Sequence, residues 1–545
     1  MPDYPVTAPA EVRRALLAKN EIALLDVRKE SQFAHGHPLF AASFPLGQLE
    51  ALAAERLPRT DVRIVAYGDG AYDTSDGSDA DAEAAAERLR QLGYRDVSLL
   101  AGGLDRWTAS GGELFSDVNA PSKAFGELVA ELTSTPALPA EEVSALLRGA
   151  PRAVGSPTAV VVDARRFDEY ATMSIPGATS VPGAELVLRV RQLAPDPATT
   201  VIVNCAGRTR SIIGAQSLIN AGLPNRVAAL RNGTIGWTLA GLELDHGQAR
   251  VSPEVPAAAA RQAAADAWRV AGRAGVRRVG ETGLATLLRS LDEGGARTVY
   301  LFDVRTPQEY AAGHLPGFRS APGGQLVQET DWYAPVRGAL LVLADDGAGR
   351  AAMTGSWLAQ MDWDVIVTER PPPLVQPARP PAPTVPIAVP SVLAGWLRAG
   401  EAVVIDLETS KRFLAGHIPG AAWALRADLA DPELAGRLGR PKRVVLTSSD
   451  GYLAAWAVAD LGVGGLPPAT GFFALAGGTR GWERSGRPLE SNGGELLSPA
   501  VDVYRRPYEG TSVDPAVMQA YLDWEYGLVA QLERDGTHGF RVLVP

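Results

Sequence analysis

Cys205 is the only cysteine among 545 residues, and it stands between an apolar run, Val201-Ile202-Val203, and a helix-like stretch from Ile212 to Ala221. A lone thiol forms no internal disulfide, and without clustered histidines it builds no structural zinc site. Two roles remain open, a sulfur nucleophile or a small buried hydrophobe. The flanking pattern favours the nucleophile. Val201 to Val203 reads as a short buried strand, Gly207 as a sharp turn, and Ile212, Ile213, Gln216, Leu218 and Ile219 as the apolar side of a helix. Cys205 therefore falls at the C-terminal end of a strand, facing a helix N-terminus whose dipole and free N–H groups stabilise a thiolate or an anion. Arg208 and Arg210 add positive charge, which also lowers a thiol pKa. Ala206 and Gly207 are small enough for successive N–H groups to turn inward as a nest. Thr209 and Ser211 bring hydroxyls, and Ser211 equally suits a helix N-cap.

The chain is too long for one core, so about three to five domains are expected. A composition of 46% hydrophobic and 21% charged residues is that of a globular protein. The net charge of −10 argues against nucleic acid as a partner, because phosphate neutralisation needs a basic surface. No apolar run has the length of a membrane span, and Met1 to Asn20 lacks the pattern of a signal peptide. A cytoplasmic location is expected, where a reducing environment suits a working thiol.

One unit recurs four times. A strand ending in Asp-x-Arg or a near relative appears as Leu25 to Arg28, Val162 to Arg165, Phe302 to Arg305 and Ile405 to Glu408. Gly-His-aliphatic-Pro-Gly follows in two copies, at Gly313 to Gly317 and Gly416 to Gly420. A closing Gly-Gly-x-x-x-Trp is present at Leu100 to Trp107 and Leu475 to Trp482, with Leu230 to Trp237 carrying Asn232 for the first glycine. Strand-helix alternation makes each copy a small parallel α/β unit. The boundaries read as 6–118, 137–248, 276–370 and 386–490, with a helical extension over 495–545. Pro121 to Pro139, Val251 to Arg278 and the proline-rich Pro371 to Pro390 read as linkers. In the extension, Asp514-Pro515 opens an amphipathic helix expected to pack on the chain's own domains, with homodimerisation as the alternative.

Asp-x-Arg, Gly-His-Ile-Pro-Gly, the Cys-x-x-x-x-Arg-Ser loop and the Gly-Gly-x-x-x-Trp ending together resemble the rhodanese-like sulfurtransferases, from about Val6 to Glu490. The resemblance implies an α/β fold of four tandem rhodanese-like domains, each a small parallel sheet flanked by helices. It also implies that Cys205 carries a persulfide. No metal or other cofactor is then required. The partners implied are a small sulfur donor, such as thiosulfate or a low-molecular-weight persulfide, and a thiol or cyanide acceptor. The six-residue loop Cys205 to Arg210 has the length associated with sulfurtransferases rather than with related phosphatases. By alignment Tyr67, Asp345 and Ser448 occupy the cysteine position in the other copies, which lack a thiol. Arg208 is the expected contact for an anionic donor. Arg210 and Arg165 divide between substrate contact and structural pairing, with Glu169 as a candidate partner of Arg165. Asp163 is expected to be structural, as all four copies keep it. A scaffold protein with Cys205 as a redox sensor is the competing reading.

Overall fold

The computed structural model describes residues 4–70, 79–148, 159–293, 297–368, 379–438, 441–464, 471–509 and 513–544. The glycine-rich stretch after Tyr67 and the start of the Pro371 to Pro390 spacer fall partly outside these residues.

Short runs rich in β-branched and aliphatic residues form four sheets of one design. In the second copy the strands are Ala137–Leu138, Ala159–Asp163, Thr179–Ser180, Thr200–Asn204 and Val227–Leu230. Their spatial order is first, fifth, fourth, second, third, and all pairs are parallel. The other three sheets repeat this order, including the fourth, around Ala402–Asp406 and Arg443–Thr447. Helices cover both faces, so the central strand Thr200–Asn204 is buried along its whole length.

The register locates the cysteine position in each copy. Asp163 lies opposite Asn204, so Cys205 is the next residue out of the sheet. Asp303 lies opposite Ala344 and Asp406 opposite Thr447, which places Asp345 and Ser448 there as expected. In the first copy Asp26 lies opposite Tyr67, so Gly68 takes the position and Tyr67 belongs to the strand. The apolar pattern of Ile64 to Tyr67 hides this one-residue offset.

Two of the expected linkers are helices that pack. Ala120–Thr133 has Pro121 in its first turn, where proline costs no hydrogen bond, and it lies against the helix Thr209–Asn220 after Cys205. Ala257–Arg273 lies against Arg350–Gln360 of the third copy. The fourth copy also extends past its expected end, since Glu495–Leu496 adds a parallel strand beside Ala422–Trp423.

The copies are joined more closely than beads on a string. Val336–Arg337 of the third copy pairs antiparallel with Ile22 and Ala23 of the first. Arg426 of the fourth copy makes two bonds to buried Glu50 of the first, at 2.6 and 2.9 Å. The C-terminal segment ties all four together. Asp502 accepts from Ser410, and Tyr504 N–H donates to Glu30. The helix Pro515–Tyr526, capped by Asp514 as expected, covers the Cys205 loop. Leu528 and Leu532 of the next helix, Leu528–Asp535, enter the first copy's core, and Arg541 N–H donates to Gln360 O of the third.

Candidate active site

Cys205 leaves the strand with 1% of its surface exposed, and the helix begins four residues later at Thr209. Between them the loop is held by the closing motif. Thr234 N–H donates to Cys205 O at 2.9 Å and Ile235 N–H to Ala206 O at 3.0 Å. Such close approach needs Gly233, which has φ +54°; a Cβ there would stand 2.3 Å from Cys205 O. Asn232 also adopts a left-handed conformation, at φ +61°, which asparagine tolerates better than most residues. This explains how asparagine replaces the motif's first glycine.

The expected arginines are all present, but each is engaged. Arg165 donates to both oxygens of Asp163 and to Met173 O, so its partner is Asp163 and not Glu169. Asp163 also accepts from Asn204 Nδ2 at 2.7 Å, a structural role as expected. Arg210 makes a two-bond fork to Glu169, at 2.8 and 2.9 Å. The third copy repeats that pair with Arg350 and Glu309, at 2.7 Å, without any thiol. Burial opposes the charge on Glu169, yet Arg210 outweighs it and holds the carboxyl well below its usual range. Arg208, expected to meet a donor's anion, instead grips Glu127 through two bonds of 2.7 Å. Its remaining side is filled by Tyr526, whose hydroxyl lies 2.7 Å from Nη1 and whose ring centroid lies 4.0 Å from the guanidinium.

The small residues and hydroxyls divide by task. Ala206 packs beneath Tyr508, Met518 and Tyr521. Gly207 lies under the C-terminal helix, where a Cβ would come 2.9 Å from Glu525 Oε2 and 3.1 Å from Tyr521. Thr209 is buried against Gly126, with its hydroxyl unpaired. Ser211 is not the N-cap, because the helix starts earlier; its hydroxyl donates to Arg208 O at 2.8 Å.

Burial dominates the thiol. It pushes the Cys205 pKa up, against the lowering effects of Arg210 and of the Ser211 hydroxyl and N–H. The expected depression is thus reversed, because the C-terminal helix dries a loop that would otherwise face water. Glu525 adds to the rise. Its own carboxyl is pushed to about 7 by burial, which Lys123 only partly offsets, and Tyr521 donates to its other oxygen at 2.9 Å. Lys123 is itself buried, paired with Asp117 at 2.8 Å.

Two consequences follow for pH. A carboxyl with a raised folded pKa stabilises most below its ordinary value of 4.5, and that contribution fades as pH rises through about 7. Glu525→Gln should therefore flatten the loss of stability over that window. Above about pH 7 it should also shift the thiolate titration downward, read by ultraviolet difference absorbance against Cys205→Ser. Unchanged titration would mean that Glu525 does not act on the sulfur.

Sequence reasoning missed Glu127, Tyr508, Tyr521 and Glu525, which come from a supposed linker and from the extension. Only Gly233 carried a local signal, the second glycine of its motif. Among the described residues no group of three or more His, Cys, Asp or Glu side chains is placed to hold a metal ion, and no helix is long and apolar enough to cross a membrane.

The rhodanese-like domain model matches residues 8–110, 140–240 and 284–369, more than half of the chain. The fourth sheet lies outside those matches but has the same strand order. The crystal structure of a thiosulfate sulfurtransferase from Pseudomonas aeruginosa is 53% identical, with 99% of this chain and 100% of that one covered at a TM-score of 0.87. The rhodanese-like domain of the Alr3790 protein from Anabaena sp. is 29% identical, covering 21% of this chain and 80% of that one, at a TM-score of 0.18. A search of curated proteins finds no match.

Proposed function

The chain belongs to the rhodanese family, and on that premise we propose that Cys205 carries sulfane sulfur from an anionic donor to a thiol or cyanide acceptor. Sulfurtransferase activity itself is supported by 53% identity to a thiosulfate sulfurtransferase over nearly the whole chain. The observation that carries the assignment to Cys205 is its place: the one thiol in the sequence heads the loop where strand, helix and closing motif converge.

In the first half-reaction the Cys205 thiolate attacks the outer sulfur of thiosulfate. A new S–S bond forms, the old one breaks, and sulfite leaves with the electron pair. In the second, an acceptor thiolate or cyanide takes the outer sulfur and Cys205 regains its thiolate. Backbone N–H groups of the loop and the charge of Arg210 favour the anionic forms of sulfur. Arg208 and Arg210 serve this reading as supports of the loop, since a guanidinium fork fixes two elements as well as it fixes a ligand. The other copies have glycine, aspartate or serine in place of the thiol. Asp345 caps its own helix by accepting from Gly347 and Ala351 N–H, and in this reading it carries no sulfur.

Initial rates with thiosulfate and cyanide varied together test the scheme. Parallel double-reciprocal lines are expected, as covalent sulfur carriage requires. Intersecting lines would mean direct transfer in a ternary complex.

A further inference from the structure

Each thiol-free copy closes its own loop with a carboxylate. Asp79 accepts from Gly68 N–H at 2.7 Å, Asp345 from Gly347 and Ala351 N–H at 2.8 and 3.0 Å, and Glu408 from Ser449 N–H at 2.9 Å. Loop N–H groups that turn inward cradle anions, so each carboxylate stands in for one. Among the described residues no carboxylate accepts from Ala206 or Gly207 N–H of the second copy. The carboxylate set over that loop comes instead from the C-terminal segment. Glu525 is 1% exposed, and its Oε2, without a hydrogen-bond partner, lies 2.9 Å from where a Gly207 Cβ would be.

The helix that carries Glu525, Pro515–Tyr526, is lightly held. Its buried residues are Met518, Tyr521, Leu522 and Glu525, and the first three settle on Ala206, Ile235 and Tyr508 in a small cluster apart from the main cores. Val517 and Tyr526 are 48% and 51% exposed. A buried oxygen without a partner weakens the closed arrangement further. Beyond Gly527 the anchorage changes. Leu528 and Leu532 are buried in the first copy's core, Gln531 donates to Leu114 O at 2.9 Å, and Arg13 donates to Asp535 O at 2.7 Å. Gly527 thus joins a lightly held helix to a fixed one.

Resting on the sulfurtransferase reading, we propose that the helix Pro515–Tyr526 is an autoinhibitory lid hinged at Gly527, which seats Glu525 on the empty sulfur loop and must lift before donor or acceptor reaches Cys205. Burial requires the motion, because a thiol only 1% exposed meets no substrate in the closed arrangement. Tyr526 also closes the outer side of Arg208, with its hydroxyl 2.7 Å from Nη1, so the lid covers the loop's face and its outward cation together. The second copy thereby borrows from a separate helix the carboxylate that each other copy supplies for itself. A borrowed plug can be withdrawn, and a built-in one cannot.

The single cysteine makes the test direct. Alkylation of Cys205 by iodoacetamide is followed by intact mass, and each rate is divided by the thiolate fraction read from ultraviolet absorbance. A group that reacts only through a minor open state is slowed by the fraction open, so Met518→Ala/Leu522→Ala should react about tenfold or more faster than wild type. Hydrogen exchange in the wild type should be faster over 515–526 than over 528–535, and the double variant should widen that gap while 200–220 keeps its protection. Alkylation no faster in the variant, equal protection of the two helices in the wild type, or accelerated exchange over 200–220 in the variant would overturn the lid and leave sulfur carriage untouched. Failure of Cys205 to load with thiosulfate in both proteins would overturn the sulfurtransferase reading instead.

Discussion

Arg210→Ala should nearly silence sulfur transfer and loosen the second copy. Arg210 is the largest influence favouring the Cys205 thiolate against burial, so its removal drives the thiol pKa further up. Each unit of rise costs about tenfold in thiolate at fixed pH. The substitution also strands Glu169, whose carboxylate depends on that fork while its side chain is only 19% exposed. Leaving one partner of such a pair uncompensated costs roughly 3 kcal/mol. Hydrogen exchange over Thr209–Asn220 should accelerate, and the thiolate absorbance should appear only at higher pH. Arg210→Lys separates the two effects, because it restores charge without the two-bond geometry. A thiol titration unchanged in the alanine variant would show that Arg210 does not act on the sulfur.

Gly233→Ala should be nearly as damaging without touching any chemical group. The new methyl would meet backbone, Cys205 O at 2.3 Å and Ala206 at 2.8 Å, and backbone cannot swing aside as a side chain can. The loop must move, and a displacement of about 1 Å at a reacting centre costs on the order of 100-fold in rate. Gly241→Ala is the control. It has a similar φ of +70° but nothing within 4 Å of its would-be Cβ, so it should cost about 1 kcal/mol of backbone strain and leave the rate alone. Equal rates in the two variants would mean that the close approach of Gly233 does not hold the loop.

The fold was legible because it is written four times. Strand-ending aspartates recur in all four copies and closing tryptophans in three, and apolar runs such as Val201 to Val203 mark the buried central strands. Within the site, legibility followed chain proximity. Cys205, Arg210 and Ser211 lie within one short stretch from the strand's end into the first turn of the next helix, and their grouping needs no tertiary knowledge. Choosing their partners did need it. Arg165 turned to Asp163, two residues away, which left Glu169 free for Arg210. The depressed thiol expected from the helix dipole gave way to burial, because the covering residues Tyr521 and Glu525 lie more than 300 positions later. Proline-based segmentation also misled: Pro121 sits in a helix's first turn, and that helix delivers Glu127 to Arg208. Degeneracy obscured the first copy, where only strand register reveals that Gly68 stands in for the thiol. The fourth copy departs differently. Glu408 replaces the usual arginine, so burial leaves Asp406 unpaired by a cation and raises its pKa to about 7.

The claim on which the rest depends is that sulfur travels on Cys205. Intact-mass and peptide mass spectrometry after incubation with thiosulfate and removal of excess donor reads it directly. The wild-type protein should gain the mass of one sulfur atom, confined to the Cys205 peptide and lost on adding cyanide, while Cys205→Ser gains none. An adduct that persists in Cys205→Ser, or a wild-type Cys205 left unmodified by thiosulfate and by low-molecular-weight persulfides, would contradict it and favour a scaffold role for the four domains.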